Sequence, residues 1–158
     1  MLDKLKFSFV RGGLRKYIEK IKTSRMAKLK YSSNSDDNLD VFGQKSKTFS
    51  QTLLDFIDNK KTTDVDCYKR ANIDRRLFSK IRSNEEYQPS KNTVFAFAIA
   101  LKLNLQETQT LLASAGYSLS HSFNTDIILE YFIEKKKYDI NLINIALAEY
   151  NEKAIGSF

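Results

Sequence analysis

The sequence predicts an all-α fold. Only one of its 158 residues is proline and five are glycine, which argues against a turn-rich β-sandwich. From Thr48 onward, apolar residues recur at the three- and four-residue spacing that is typical of amphipathic helices. A chain of this length has room for one domain with appendages, and it buries enough surface to fold without a disulfide or a metal.

The net charge of +7 is concentrated at the N-terminus. Residues 1–30 contain ten of the 26 lysine and arginine residues and two of the 19 acidic residues, so the rest of the chain is nearly neutral. Within this segment Leu14, Ile18 and Ile21 follow helical spacing, after a break expected at Gly12-Gly13.

Residues 1–30 are therefore interpreted as a basic amphipathic arm. Such an arm has three possible roles: it contacts phosphates, it binds a membrane surface or a protein partner, or it packs as a solvated helix on its own domain. Its candidate binding residues are Arg11, Arg15, Lys16, Lys20, Lys22 and Arg25. Residues 31–47 are predicted to be a linker, because the stretch KYSSNSDDN from Lys30 to Asn38 is polar and nearly without apolar residues.

Five helices are predicted in residues 48–118. The first ends near Lys60, and the second begins at a cap from Thr62-Thr63 and runs to about Ala71. Asn72 tolerates the left-handed conformation of a sharp turn, and Asp74 caps a third helix. The fourth helix is expected at residues 93–103 after Pro89-Ser90, and the fifth at residues 106–115 before Gly116.

The order and register of these elements resemble the lambda-repressor-like (XRE) helix-turn-helix family. The matching residues are Thr63, Ala71-Asn72-Ile73, Phe78, Ile81, Pro89-Ser90, Ala98-Ile99-Ala100-Leu101 and Leu103-Asn104-Leu105. The resemblance implies a five-helix domain that binds double-stranded DNA, as a sequence-specific transcriptional regulator. Two residues depart from the pattern, since Tyr68 replaces a small residue of the second helix and Arg82 replaces a frequent glutamate of the third.

A weaker resemblance connects the chain to a small helical module found C-terminal to macro-type and von Willebrand A-type domains of Gram-positive bacteria. It covers the strings YKRANIDRRLFSKIRS, YQPSK and AGYSLSHS. It leaves open a second function, that of a non-enzymatic protein-interaction module that keeps the helical fold without binding DNA.

The third helix is the candidate recognition helix, because the N-terminal half of such a helix faces the major groove. Its candidate base-reading residues are Arg75, Arg76, Ser79 and Lys80, and the candidate phosphate contacts are Lys69, Arg70, Arg82, Ser83, Lys91 and Asn92. The alternative is that these residues are the polar face of an ordinary surface helix. Leu77 is expected to be exposed, against a thymine methyl group or a protein partner.

Residues 119–158 form a C-terminal extension with two apolar-striped helices, around Ile127–Ile133 and Ile140–Tyr150. Stripes this apolar need a partner. They either pack on the five preceding helices or form a homodimer interface, which would suit a DNA site with two half-sites.

Enzymatic activity is not expected, and no catalytic residue, metal ligand or cofactor is assigned. Cys67 has no base near it in sequence and is interpreted as a buried structural cysteine, and His121 is the single histidine. No stretch is long and apolar enough for a membrane span, and a secretory signal is not apparent, so the expected location is the cytoplasm.

Overall fold

The computed structural model describes the backbone of residues 2–28 and 46–156 and the side chains of residues 4–24 and 46–156. The described residues form eight α-helices and no strand, which confirms the all-α class. The helices are α1 (Leu2–Lys28), α2 (Phe49–Asn59), α3 (Asp64–Arg70), α4 (Arg75–Ser83), α5 (Lys91–Ala100), α6 (Leu105–Ser114), α7 (Asn124–Glu134) and α8 (Ile140–Glu149). Residues 31–45 of the predicted linker and the side chain of Arg25 lie outside the described residues.

Local sequence signals set most helix starts. Thr63, Asp74 and Ser90 each accept a backbone N–H with their side chain at the start of α3, α4 and α5, as predicted. Asn72 turns the chain between α3 and α4 with a φ of 52°. The fourth predicted helix, at residues 93–103, is displaced towards the N-terminus. Helix α5 starts at Lys91, directly after its Ser90 cap, and it ends at Ala100 because Lys102 adopts a left-handed φ of 51°.

Helix α5 lies at the centre of the molecule. Seven consecutive residues, 94–100, are buried, and α5 packs against α3, α6 and α8. Its Phe97 ring also lies 6.2 Å from the Phe49 ring of α2 and 6.1 Å from the Phe78 ring of α4. The core therefore extends around the whole circumference of α5.

Helices α7 and α8 pack back onto the preceding helices. The apolar stripes of these two helices were expected either to pack on the preceding helices or to form a homodimer interface. They are buried within the chain, since α7 contacts α6 and α8 contacts α5. The buried carboxylate of Asp126 on α7 receives the Lys91 ammonium group of α5 at 2.6 Å and the Ser120 N–H at 2.8 Å. A charged pair thus fixes α7 to the first turn of α5.

The segment after α8 returns to the turn between α3 and α4. The Asn144 side chain holds both the N–H and the carbonyl of Ile155, whose side chain is buried. Gly156 has a φ of 66°, and a Cβ there would lie 2.2 Å from the Ala71 carbonyl oxygen. Glycine is required at this position because the tail touches the α3–α4 turn directly.

Helix α1 is continuous through Gly12-Gly13, so the expected break is wrong. Its buried residues Phe7, Val10, Leu14 and Ile18 form one stripe, and the helix packs on α7 and α8. A Cβ at Gly13 would lie 2.6 Å from the Tyr131 hydroxyl oxygen. Tertiary packing outweighs the low helix propensity of glycine here, because the missing side chain lets α1 approach α7 closely.

None of the helices in the described ranges has the length and apolar character that a membrane crossing requires.

The two adjacent glycines give a matched test of this packing. A Cβ at Gly12 meets no atom within 4 Å, so Gly12→Ala is expected to stabilise the protein by about 0.5–1 kcal/mol through helix propensity. Gly13→Ala is expected to destabilise it by about 1–3 kcal/mol, because the new methyl group collides with the Tyr131 hydroxyl. Urea unfolding measures both changes.

Tyr131→Phe removes the colliding oxygen and should restore most of the stability that Gly13→Ala loses. Equal stabilisation by Gly12→Ala and Gly13→Ala would contradict the docking of α1 on Tyr131.

Candidate nucleic-acid interface

Helices α3 and α4 meet through an aromatic pair. The Tyr68 ring lies 5.5 Å from the Phe78 ring, with an angle of 44° between the ring planes. Tyr68 is half-buried and packs against the core together with Phe78. The large residue in α3 is therefore accommodated as part of the contact between the two helices.

The four candidate base-reading residues are all exposed on α4, where Arg75, Arg76 and Ser79 lie in the N-terminal half and Lys80 lies in the last turn. Arg75, Arg76, Ser79 and Lys80 lie on the side of the helix opposite the buried Phe78 and Ile81. The helix begins with Asp74 as its cap, so the two arginines occupy its first turn.

The cations of this face differ from Arg82 of the same helix in their partners. Within the described part of the chain, Arg75, Arg76 and Lys80 form no ion pair, whereas Arg82, at the end of the same helix, donates to the Asp64 carboxylate at 2.6 Å. Arg82 thereby connects the end of α4 to the start of α3. The unpaired cations of α4 are therefore three of the residues that were predicted to read bases.

The candidate phosphate contacts divide into two groups. Lys69, Arg70 and Ser83 are exposed, and Arg70 lines a groove with Lys102 and Asp139.

Lys91 and Asn92 make contacts inside the protein. The Lys91 ammonium group pairs with Asp126 and lies 5.8 Å from the centre of the Phe95 ring. The Asn92 amide donates to the Ala154 carbonyl at 3.3 Å. The proposal below depends on neither residue.

Leu77 is half-buried and packs against the core, which differs from the expected exposure. The reason is that α4 packs against both α2 and α3, so its buried side is wider than the stripe of Phe78 and Ile81. The leucine is therefore a weaker candidate for a protein contact than the sequence suggested.

The basic residues of α1 lie on a different surface. Arg15, Lys16, Lys20 and Lys22 are exposed, and Arg11 pairs with Glu149 of α8. Helix contacts lead from α4 to α1 through α3, α5 and α8. The structure therefore places the candidate residues of α4 together on one surface. The candidate residues of α1 lie on a separate surface, on the helix that packs against α7 and α8.

Cys67 is fully buried in α3. Burial raises the pKa of its thiol to about 12, the nearby Asp64 carboxylate adds to this increase, and Arg70 opposes it. The interpretation of Cys67 as a buried cysteine is confirmed.

A group of three or more potential ligands that could hold a metal ion is absent from the described residues. The single histidine, His121, has its Nε2 atom 2.5 Å from the Glu130 carboxylate.

Sequence reasoning missed two features of the surface and core. It did not single out Asp126, whose burial shows only after α7 is placed against α5. It also missed the exposed Leu5 and Phe9 of α1. These two residues are four positions apart and lie on a different side of the helix from the buried stripe, a pattern that can be read from the sequence.

Comparisons of the chain with protein-family models, with curated proteins and with solved structures found no match. The function is therefore inferred from the residues of the chain itself.

The burial of Cys67 predicts slow chemistry at this thiol. At pH 8 a thiol reagent is expected to label the folded protein at least about a hundredfold more slowly than the protein unfolded in denaturant, because little thiolate forms and access is blocked. Stability should also fall as the pH rises from about 8.5, where an unfolded cysteine ionises, towards about 12, where the folded one does. Rapid labelling of the folded protein would show that Cys67 is a reactive group.

Proposed function

We propose that the protein is a sequence-specific DNA-binding protein of the helix-turn-helix class, with the lambda-repressor-like arrangement in α2 to α6, and that it acts as a transcriptional regulator. The observation that carries the proposal is the face of α4, where Arg75, Arg76 and Lys80 are exposed without an ion-pair partner in the described residues.

The chemistry of this face suits the major groove. An arginine guanidinium group donates two parallel hydrogen bonds to guanine O6 and N7, and serine and lysine donate to base or phosphate oxygens. Such donors reach base edges when the N-terminal half of the helix enters the groove. The packing of Phe78 and Ile81 into the core fixes the position of α4 in the protein, so the helix backbone that carries the donors is in place before DNA arrives.

Lys69 and Ser83 flank this face and are proposed to contact phosphates. Both are exposed and lie at the ends of the two helices joined by the Asn72 turn. Phosphate contacts fix the position of the protein on the duplex but carry no sequence information.

A protein-interaction module is the second candidate. Val65 of α3 is 45% exposed, and residues 31–158 are nearly neutral, which is unusual for a surface that binds a polyanion. The two candidates differ in one property, the binding of duplex DNA at low salt.

The test begins with selection of bound duplexes from a random library at low salt. Replacing Arg75→Ala together with Arg76→Ala should reduce discrimination between the enriched and a scrambled duplex by about 1–3 kcal/mol for each lost bidentate contact. The matched control is Arg15→Ala with Lys16→Ala, which removes the same charge from α1 and should leave sequence preference unchanged.

Salt titration separates specific from general attraction, since affinity falls with the logarithm of salt at a slope set by the number of phosphate contacts. If the α4 double variant discriminates as well as the parent, α4 is not the reading helix. Absence of duplex binding at low salt would favour the interaction module.

A further inference from the structure

The outer face of α1 exposes two large apolar side chains. Phe9 is 89% exposed and Leu5 is 62% exposed, and the two lie about one helical turn apart. The inner stripe of Phe7, Val10 and Leu14 is buried, so these two residues are not needed for the packing of α1 on α7 and α8. Leu5 and Phe9 together form an exposed apolar surface that a partner can cover.

Basic residues continue and flank this face. Gly12, Lys16 and Lys20 follow Leu5 and Phe9 at three- and four-residue spacing on the same side of the helix, and a Cβ at Gly12 would meet no atom within 4 Å. Exposed cations also flank it at Lys4, Lys6, Arg15 and Lys22, whereas Glu19 is the one acidic side chain described in α1. We call Leu5, Phe9, Gly12, Lys16 and Lys20 the outer face of α1.

The charge of this face selects among the possible occupants. A second copy of the chain would bring two cationic surfaces together, which costs electrostatic energy. A nucleic acid would satisfy the lysines but would leave Leu5 without an apolar environment. An anionic bilayer offers both, since acidic headgroups lie at its surface and acyl chains lie immediately below.

We propose that the outer face of α1 binds the surface of an anionic lipid bilayer, with Phe9 and Leu5 entering the acyl boundary and Lys16 and Lys20 at the headgroups. The helix lies in the plane of the interface and keeps its inner stripe on α7 and α8. Binding is reversible and depends on acidic lipid, because two apolar side chains alone are a small anchor and each cation near an anionic surface strengthens binding about fivefold.

Flotation of the full chain with vesicles tests the proposal. The protein is expected to float with phosphatidylcholine vesicles that contain about 30% phosphatidylserine, and to float much less with phosphatidylcholine alone. Leu5→Ala with Phe9→Ala should lower the partition coefficient by about tenfold or more. The control Phe123→Ala removes another exposed phenylalanine, 60% exposed before α7, and should leave partition unchanged.

Lys16→Ala with Lys20→Ala should lower partition on acidic vesicles by about 25-fold, and added salt should weaken the parent in the same direction. The α4 variant Arg75→Ala with Arg76→Ala should still float, so failure of DNA binding and failure of this proposal are distinguishable.

Three results would overturn the proposal. The first is absence of flotation, and the second is equal flotation with neutral and acidic vesicles. The third is a dimer in light scattering that Phe9→Ala abolishes while vesicles bind nothing, because the occupant would then be a second copy.

Discussion

The burial of residues 94–100 on every side of α5 determines how the other helices are arranged. Residues 94–100 are at most 5% exposed, and a helix that is apolar on every side needs partners on every side. Phe97 meets the aromatic rings of α2 and α4, while α3, α6 and α8 cover the remaining surface. The C-terminal helices α7 and α8 are therefore part of the same core as α2 to α6, and α1 in turn covers α7 and α8. Lys91 and Asp126 strengthen this connection, because a buried carboxylate that lost its ammonium partner would be strongly destabilising.

This arrangement separates two cationic surfaces. Several basic side chains pair with carboxylates and hold elements together: Arg11 joins α1 to α8, Lys60 joins the end of α2 to α6, and Arg82 joins α4 to α3. The unpaired cations lie on α4 and the lysines lie on α1. These two helices are connected through others, since α4 packs on α3, α3 on α5, α5 on α8 and α8 on α1. Each surface has its own chemistry, since α4 presents hydrogen-bond donors on a helix packed into the core and α1 combines lysines with exposed Phe9 and Leu5. The total charge of +7 gives no information about the α4 surface, because most of that charge comes from α1.

Local signals were readable from the sequence, whereas long-range packing was not. Capping by Thr63, Asp74 and Ser90 and the turn at Asn72 follow from the chemistry of single side chains, so α3, α4 and the start of α5 were predicted closely. The continuity of α1 was missed because Gly13 is explained by Tyr131, more than a hundred residues later. Leu77 was placed wrongly for the same reason, since two helices cover α4. The exposed face of Arg75, Arg76, Ser79 and Lys80 was predictable, but the pairing of Arg82 with Asp64 and of Lys91 with Asp126 required the packed structure.

The proposal that α4 alone reads DNA, on a surface separated from that of α1 by α5, is tested most directly by amide chemical shifts on addition of the selected duplex. We expect the largest changes at the α3–α4 turn and in the N-terminal half of α4, a smaller response to a scrambled duplex, and unchanged signals for residues 4–24. Changes that concentrate in α1, or that do not depend on the duplex sequence, would contradict it.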